Sequence, residues 1–418
     1  MAREVQPVML PSGWNGFDLR TFLSTSAQSI GIGSATDQGW VPQVDSAIPP
    51  IGMTGGIPDP HTLPTEALLA CIRSATEEAP PDALRYGGTI GYEGLRQCLA
   101  EKSQREDGLA QGPENFTITN GSSAAIDLVC RTFLNPGDVV VAESPSFSGS
   151  LRTVRGNQGR LVPVPMDSHG LDVDRLDDIL TSLEAEGTPA KLVYTVPDFH
   201  NPTGTNLSVE RRRRFVEIAA RHRALILEDD AYIDLYFNEA PLPSLYELAG
   251  GEGVLRAGSF SKTIATGLRT GWLQGSADVV ALCNQMRFDM GGSPLIHRAL
   301  AKYAESGRWD EHADSMRRLY AAKCSAVCEG LVDECESYVR FQRPAGGFFV
   351  WLECAKGISA RQVVALAAQE GLLCVPGDHF FMNREEDRFI RIAFSTAPMS
   401  SMHEAAKRLR TAFERLAG

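Results

Sequence analysis

Basic charge is scarce in this chain of 418 residues: 40 lysines and arginines face 52 acidic residues, for a formal net charge of −12. Nucleic-acid binders carry a basic domain or stripe, so the balance argues against nucleic acid as a partner. The one basic run, Arg211 to Arg214, opens a helical pattern and reads as a solvated helix face. No stretch approaches the ~18 consecutive apolar residues of a membrane span. The N-terminus lacks a basic region followed by an apolar core, so no secretory signal is visible. The nine cysteines are odd in number and scattered, without Cys-x-x-Cys or Cys/His ligand spacing. That pattern argues against a disulfide framework and a structural metal, and for a reducing compartment. A cytoplasmic location is the expectation. Internal repeats and low-complexity segments are also lacking.

What remains is ordinary globular material, 43% hydrophobic and 22% charged, enough to bury a large core. Residues 1–50 are irregular, with Phe17, Leu19, Phe22 and Leu23 as apolar anchors for a short helix lying over the body or a partner subunit. From about 115 to 275, strand-like apolar runs recur at 116–119, 138–142, 161–165, 191–196, 224–227 and 253–257. Helical patterns lie between several of them, as at 208–221, where Phe215, Ile218 and Ala219 share a face. Strands alternating with helices read as a mainly parallel sheet sandwiched by helices, an α/β fold. A different texture begins near 310: a long helix (309–331), a strand (348–352), a helix (360–369), a strand (388–394) and a closing helix. The expected division is an N-terminal segment (1–50), a large domain (51–305) and a smaller α+β domain (306–418).

A parallel sheet places its binding site beyond the C-terminal ends of its strands, and four polar groups sit at such ends. The first is Gly258-Ser259-Phe260-Ser261-Lys262, with Arg269 downstream. Alone, Lys262 is no more than a surface lysine. With Ser259, Ser261 and Arg269 in register, the group can hold a phosphate and set an amine beside it, and lysine forms a Schiff base with an aldehyde. The second is Asp229, at the end of an apolar run, with Tyr232 three residues on. A desolvated carboxylate needs a partner; a pyridinium nitrogen is one, a capping role for Asp229 or Asp230 the plainer alternative. Tyr232 is placed to donate to a ring oxygen. The third, Asn201-Pro202-Thr203-Gly204, is a tight turn whose asparagine can also bond a ring oxygen and a substrate carboxylate. The fourth, Gly121-Ser122-Ser123, opens a helix whose free N–H groups suit a phosphate.

In this order the motifs resemble the fold-type I, aspartate-aminotransferase-like pyridoxal-phosphate enzymes. The resemblance is strongest to the kynurenine/aminoadipate branch of class I/II aminotransferases. It runs from Thr54-Gly55-Gly56-Ile57-Pro58 to the segment around Arg391, about four fifths of the chain. It implies pyridoxal phosphate as cofactor, held by Lys262 as the internal aldimine. It also implies transfer of an amino group from an α-amino acid to a 2-oxo acid by way of pyridoxamine phosphate. By the same resemblance, Phe147 stacks on the pyridine, and Gly121, Ser122, Ser123, Ser259, Ser261 and Arg269 seat the phosphate. Tyr86 reaches that phosphate from the other subunit of a homodimer. Arg391 clamps the substrate carboxylate, with Asn201 and Gly56 nearby. Ser123, Phe147 and His200 depart from the commoner residues, and His200 either tunes the chemistry or fills space. The same residues also serve decarboxylation-coupled or oxygen-dependent oxidative deamination, which stays open as the alternative reaction.

Overall fold

The computed structural model describes residues 18–30, 48–383 and 386–417 of the chain. Runs such as Val139-Val140-Val141-Ala142 and Leu225-Ile226-Leu227 have no polar face to turn to solvent, so as strands they need cover on both sides. They find it in one large sheet, ordered Phe116–Thr119, Gly271–Gln274, Val254–Ser259, Leu225–Asp229, Ala190–Thr195, Val139–Ser144, Arg160–Asp167 and Gly170–Leu171. Gly271–Gln274 is antiparallel to both of its neighbours. The two-residue Gly170–Leu171 folds back on Arg160–Asp167, and every other pairing is parallel. Seven full strands and a two-residue edge thus make up the mainly parallel sheet that the alternating pattern implied.

Side chains alternate along a strand, and the alternation sorts the two cores. Val139, Val141, Val193 and Ile226 meet Leu176, Leu180, Phe215 and Ile218 from the helices Val173–Ala185 and Val209–Arg221. Val140, Ala142, Leu192, Tyr194 and Leu227 meet Leu128, Val129, Leu151 and Val154 from the helices Ser122–Phe133 and Ser148–Gly156. The solvated-face reading of Arg211 to Arg214 is corrected at one position. Arg214 pairs with exposed Asp174, but Arg212 is fully buried. It donates to Asp198 at 2.6 Å and to the carbonyls of Pro197, Leu207 and Pro243. At ~100° per residue, four consecutive helical positions are spread around almost the whole circumference, so a run of four arginines cannot keep to the solvent face alone.

Beyond the sheet, the 28-residue helix Arg308–Cys335 packs along the closing helix Met402–Ala417. Between them in the chain comes an antiparallel sheet ordered Val339–Arg340, Phe349–Cys354, Phe389–Ala393 and Val375–Pro376. Ile51 and Gly52 pair in parallel with Leu372 and Leu373. The chain then passes Thr54 to Ile57 at the junction of the two sheets, where Ser395 Oγ donates to the Ile57 carbonyl at 2.6 Å.

Of the N-terminal anchors, Phe17 lies outside the described residues. Phe22 is 77% exposed and buries little. The short helix is Thr25–Ile30, which packs on Ser148–Gly156 through a hydrogen bond from Ser26 Oγ to the Gly156 carbonyl. Among the described residues, no helix is long and apolar enough to cross a membrane.

Candidate active site

The strand ends converge on a cavity of about 580 Å³, within the ~300–1,000 Å³ usual for small-molecule sites. Leu225–Asp229 delivers Asp229 to its wall. Val254–Ser259 delivers Ser259 and, three residues on, Lys262. Phe260 between them is fully buried against Trp272 and Trp309, with ring centroids 5.0 and 4.8 Å away. That anchor fixes the segment and leaves Ser261 and Lys262 lining the cavity. The segments that follow Phe116–Thr119, Val139–Ser144 and Ala190–Thr195 add Gly121 to Ser123, Phe147 and Asn201.

Lys262 Nζ donates to the Gly56 carbonyl at 2.6 Å and lies 5.6 Å from the centre of the Tyr232 ring. The chain must come close at Gly56: a Cβ there would stand 2.4 Å from Phe349 Cζ. Asp229 is buried and accepts a hydrogen bond from Tyr194 Oη at 2.8 Å. Burial pushes its pKa up to about 6; the Tyr194 bond and the nearby Lys262 charge pull the other way without cancelling that cost. Neighbouring Asp230 does not cap the next segment. It is buried in an ion pair with Arg256, which also bonds Asp107 at 2.8 Å. The two adjacent carboxylates therefore face different partners, and only Asp229 opens on the cavity.

Arg269 adopts a left-handed backbone (φ 47°) and donates to the Asn120 carbonyl at 3.1 Å. Its guanidinium lies against Gly121, where a Cβ would be 3.1 Å from Nη2. Ser122 and Ser123 are the first two residues of the helix Ser122–Phe133, whose N-cap, Gly121, offers no side chain to its leading N–H groups. Among the described residues, the Ser122 and Ser123 N–H groups donate to no protein acceptor. Ser259 Oγ accepts from the Ser261 N–H at 3.0 Å. Phe147, half-buried, folds its ring over Gly149, where a Cβ would come within 2.6 Å of it.

Arg391 is fully buried. It donates to Asn201 Oδ1 at 2.9 Å and to the Thr54 carbonyl at 2.5 Å, between the rings of Phe349 and Phe380, each 4.6 Å away. It thus joins the cavity through Asn201. His200 is buried away from the cavity wall, 3.2 Å from Glu143 and 2.8 Å from Thr203 Oγ1. Tyr86 is the residue this chain does not bring to the cavity. It is 81% exposed and borders a separate cleft of about 230 Å³ with Gly88, Gly291, Pro294 and His297.

Sequence reasoning missed Tyr194, Arg152, Thr153 and Thr266. Tyr194 pairs with Leu227, which puts it on the same face as Asp229 two residues later. Only strand register carries that signal. Arg152 and Thr153 follow Gly149 by three and four residues on one helix face.

A lysine amine, a buried carboxylate without a cation in contact, and a helix N-terminus with unused donors beside serines and an arginine form a complementary set. It fits the aldehyde, the protonated ring nitrogen and the phosphate of pyridoxal phosphate. Fold and site together define a pyridoxal-phosphate enzyme with an aspartate-aminotransferase-like architecture.

An aromatic-amino-acid aminotransferase of Thermococcus litoralis is 31% identical over 361 residues, 86% of this chain and 87% of its own length. A 2-aminoadipate transaminase of Thermus thermophilus is 33% identical over 372 residues, 88% of this chain and 90% of its own length. The crystal structure of the α-aminoadipate aminotransferase of Thermus thermophilus, complexed with N-(5′-phosphopyridoxyl)-L-leucine, has a TM-score of 0.86 at 30% identity. That match covers 96% of this chain and 99% of that chain. The chain belongs to the aminotransferase class I and II family, whose profile matches residues 54–409. It is a transferase of amino groups, and its cofactor is pyridoxal phosphate.

Proposed function

We propose that the cavity moves the amino group of an α-amino acid to a 2-oxo acid, with Lys262 as the proton carrier and Arg391 as the carboxylate clamp. The observation that carries this reading is the placement of Lys262 and Asp229 on one cavity wall, with Arg391 held to it through Asn201. When bound, pyridoxal phosphate supplies an electron-withdrawing ring that weakens the bonds at the amino acid α-carbon.

This chain's own residues do the rest. Lys262 Nζ, steadied by the Gly56 carbonyl, takes the α-proton and returns it. Asp229 keeps a proton on the ring nitrogen. Tyr232 and Asn201 donate to the ring oxygen, and Phe147 stacks on the ring. Gly121 to Ser123, Ser259, Ser261 and Arg269 seat the phosphate. Arg391 already spends one nitrogen on Asn201 and another on the Thr54 carbonyl, so its guanidinium plane is fixed before substrate arrives.

The functional unit is a homodimer with shared sites, in which Tyr86 reaches the partner's cofactor phosphate. Residues 51–305 act as the cofactor domain and 306–418 as the smaller domain. All nine cysteines are free thiols, which supports a cytoplasmic setting in amino acid metabolism.

The experiment mixes cofactor-loaded enzyme with single amino acids, aromatic, dicarboxylic and aliphatic, and no acceptor. Cofactor absorbance, oxygen uptake and carbon dioxide release are followed together. Stoichiometric conversion to pyridoxamine phosphate without gas exchange is expected. Repeated turnover that consumes oxygen or releases carbon dioxide would move the protein to oxidative or decarboxylating deamination.

A further inference from the structure

Every cation around the cavity has its work laid out in the fold except one. Lys262 is bonded to the Gly56 carbonyl, Arg269 to Asn120 and Arg391 to Asn201. Arg152 also lines the cavity. Among the described residues, however, its guanidinium donates no hydrogen bond, joins no ion pair and stacks on no ring.

The surroundings explain why it has no local partner. Gly149, Arg152 and Thr153 share the cavity-facing side of the helix Ser148–Gly156. Arg155, two residues after Thr153, turns elsewhere and donates to the Met382 carbonyl at 3.0 Å. The adjacent helix Ser122–Phe133 offers a carboxylate, Asp127, but both of its oxygens are taken, by Arg131 and by Asn157, each at 2.9 Å. Among the described residues, Asp229 is the one carboxylate on the cavity wall, against Arg152, Lys262 and Arg269.

We infer that Arg152 is an additional anion-binding residue of this cavity, its guanidinium taking an oxyanion that arrives with a ligand. A partly buried guanidinium with five donors and no acceptor is completed by a planar carboxylate or a phosphate. Two sources bring that chemistry here, the cofactor phosphate and the second carboxylate of a dicarboxylic amino acid. The inference rests on the proposed reading of the cavity as the cofactor site.

The test compares wild type with Arg152→Gln and Arg152→Lys. Thermal unfolding of the cofactor-free proteins serves as the folding check. Two quantities are read: cofactor affinity, by absorbance titration with pyridoxal phosphate, and the concentration dependence of the half-reaction with glutamate, 2-aminoadipate, alanine and leucine. Loss of a charge-assisted hydrogen bond predicts roughly 10- to 100-fold weakening in Arg152→Gln, partly restored in Arg152→Lys.

Weakened cofactor affinity assigns the phosphate. A loss confined to glutamate and 2-aminoadipate, with alanine and leucine unchanged, assigns the second carboxylate. Arg152→Gln matching wild type in both measurements overturns the inference. Failure of wild type itself to bind pyridoxal phosphate would instead overturn the reading of the cavity.

Discussion

Asp229, unfavourable to the bare protein, is the residue that the proposed role makes useful to the loaded one. Burial holds its pKa near 6, against 3.8 for an ordinary aspartate. Between those values the folded cofactor-free protein keeps a proton that the unfolded chain has released. Stability must therefore fall as pH rises through that window, by ~3 kcal/mol for a shift of about two units. Asp229→Asn cannot titrate and escapes the penalty. The expected outcome is that cofactor-free Asp229→Asn melts close to wild type at pH 4 and above it at pH 7.5. With pyridoxal phosphate bound the order should reverse, because the variant lacks the charge that holds the ring proton. A cofactor-free difference that does not change with pH would show that Asp229 ionises without cost. The place of Asp229 on the cavity wall was readable from a carboxylate ending an apolar run. Its hydrogen-bond donor Tyr194 was not, because the two are 35 residues apart and only the pairing of Tyr194 with Leu227 brings them together.

At the scale of an element, the strand Val254–Ser259 decides where Lys262 stands, and its neighbour Gly271–Gln274 decides how that strand lies. Gly258 faces Trp272 across the antiparallel pair, and a Cβ on it would stand 2.1 Å from the indole. Trp272 cannot yield, since Phe260 and Trp309 pack on it at 5.0 and 6.1 Å. Gly258→Ala is expected to cost ~1–3 kcal/mol or more through overpacking. It should also weaken cofactor binding by displacing Ser259 to Lys262. Gly52→Ala, where nothing lies within 4 Å, should stay within ~0.5 kcal/mol of wild type. Urea midpoints measure both, and a Gly258→Ala midpoint equal to wild type would mean that the strand pair can part at no cost. The sequence reading found the parallel strands but not Gly271–Gln274. Parallel strands buried on both faces announce themselves as aliphatic runs, whereas Gly-Trp-Leu-Gln is a strand only because two distant strands leave a gap for it. The helix Ala360–Gln369, amphipathic and capped by Ser359, was legible to the residue because its signals are local.

At the scale of the whole molecule, the face around Tyr86 is where the proposed dimer would form. Leu84 is 68% exposed, Tyr86 and Phe288 81% each. The loop carrying Phe288 and Met290 touches the Tyr86 segment so closely that a Cβ on Gly291 would lie 2.0 Å from the Gly88 carbonyl. Large apolar side chains gathered on one face mark an interaction surface. Nothing in a single chain's sequence can tell whether Tyr86 serves its own cavity or a neighbour's; motif order is the same in both cases. Mixed dimers separate the two. Lys262→Ala alone lacks the proposed proton carrier and should lose activity by at least ~10²-fold, and Tyr86→Ala should lose cofactor affinity. In a mixed dimer, the site built on the Tyr86→Ala chain keeps its own Lys262 and borrows the intact Tyr86 of the Lys262→Ala chain. The other site carries both defects. Refolding the two variants together at subsaturating cofactor should therefore give more activity than the two refolded apart, since every mixed dimer regains one complete site. If each Tyr86 acted within its own chain, no mixed dimer would hold a complete site, and co-refolding would add nothing.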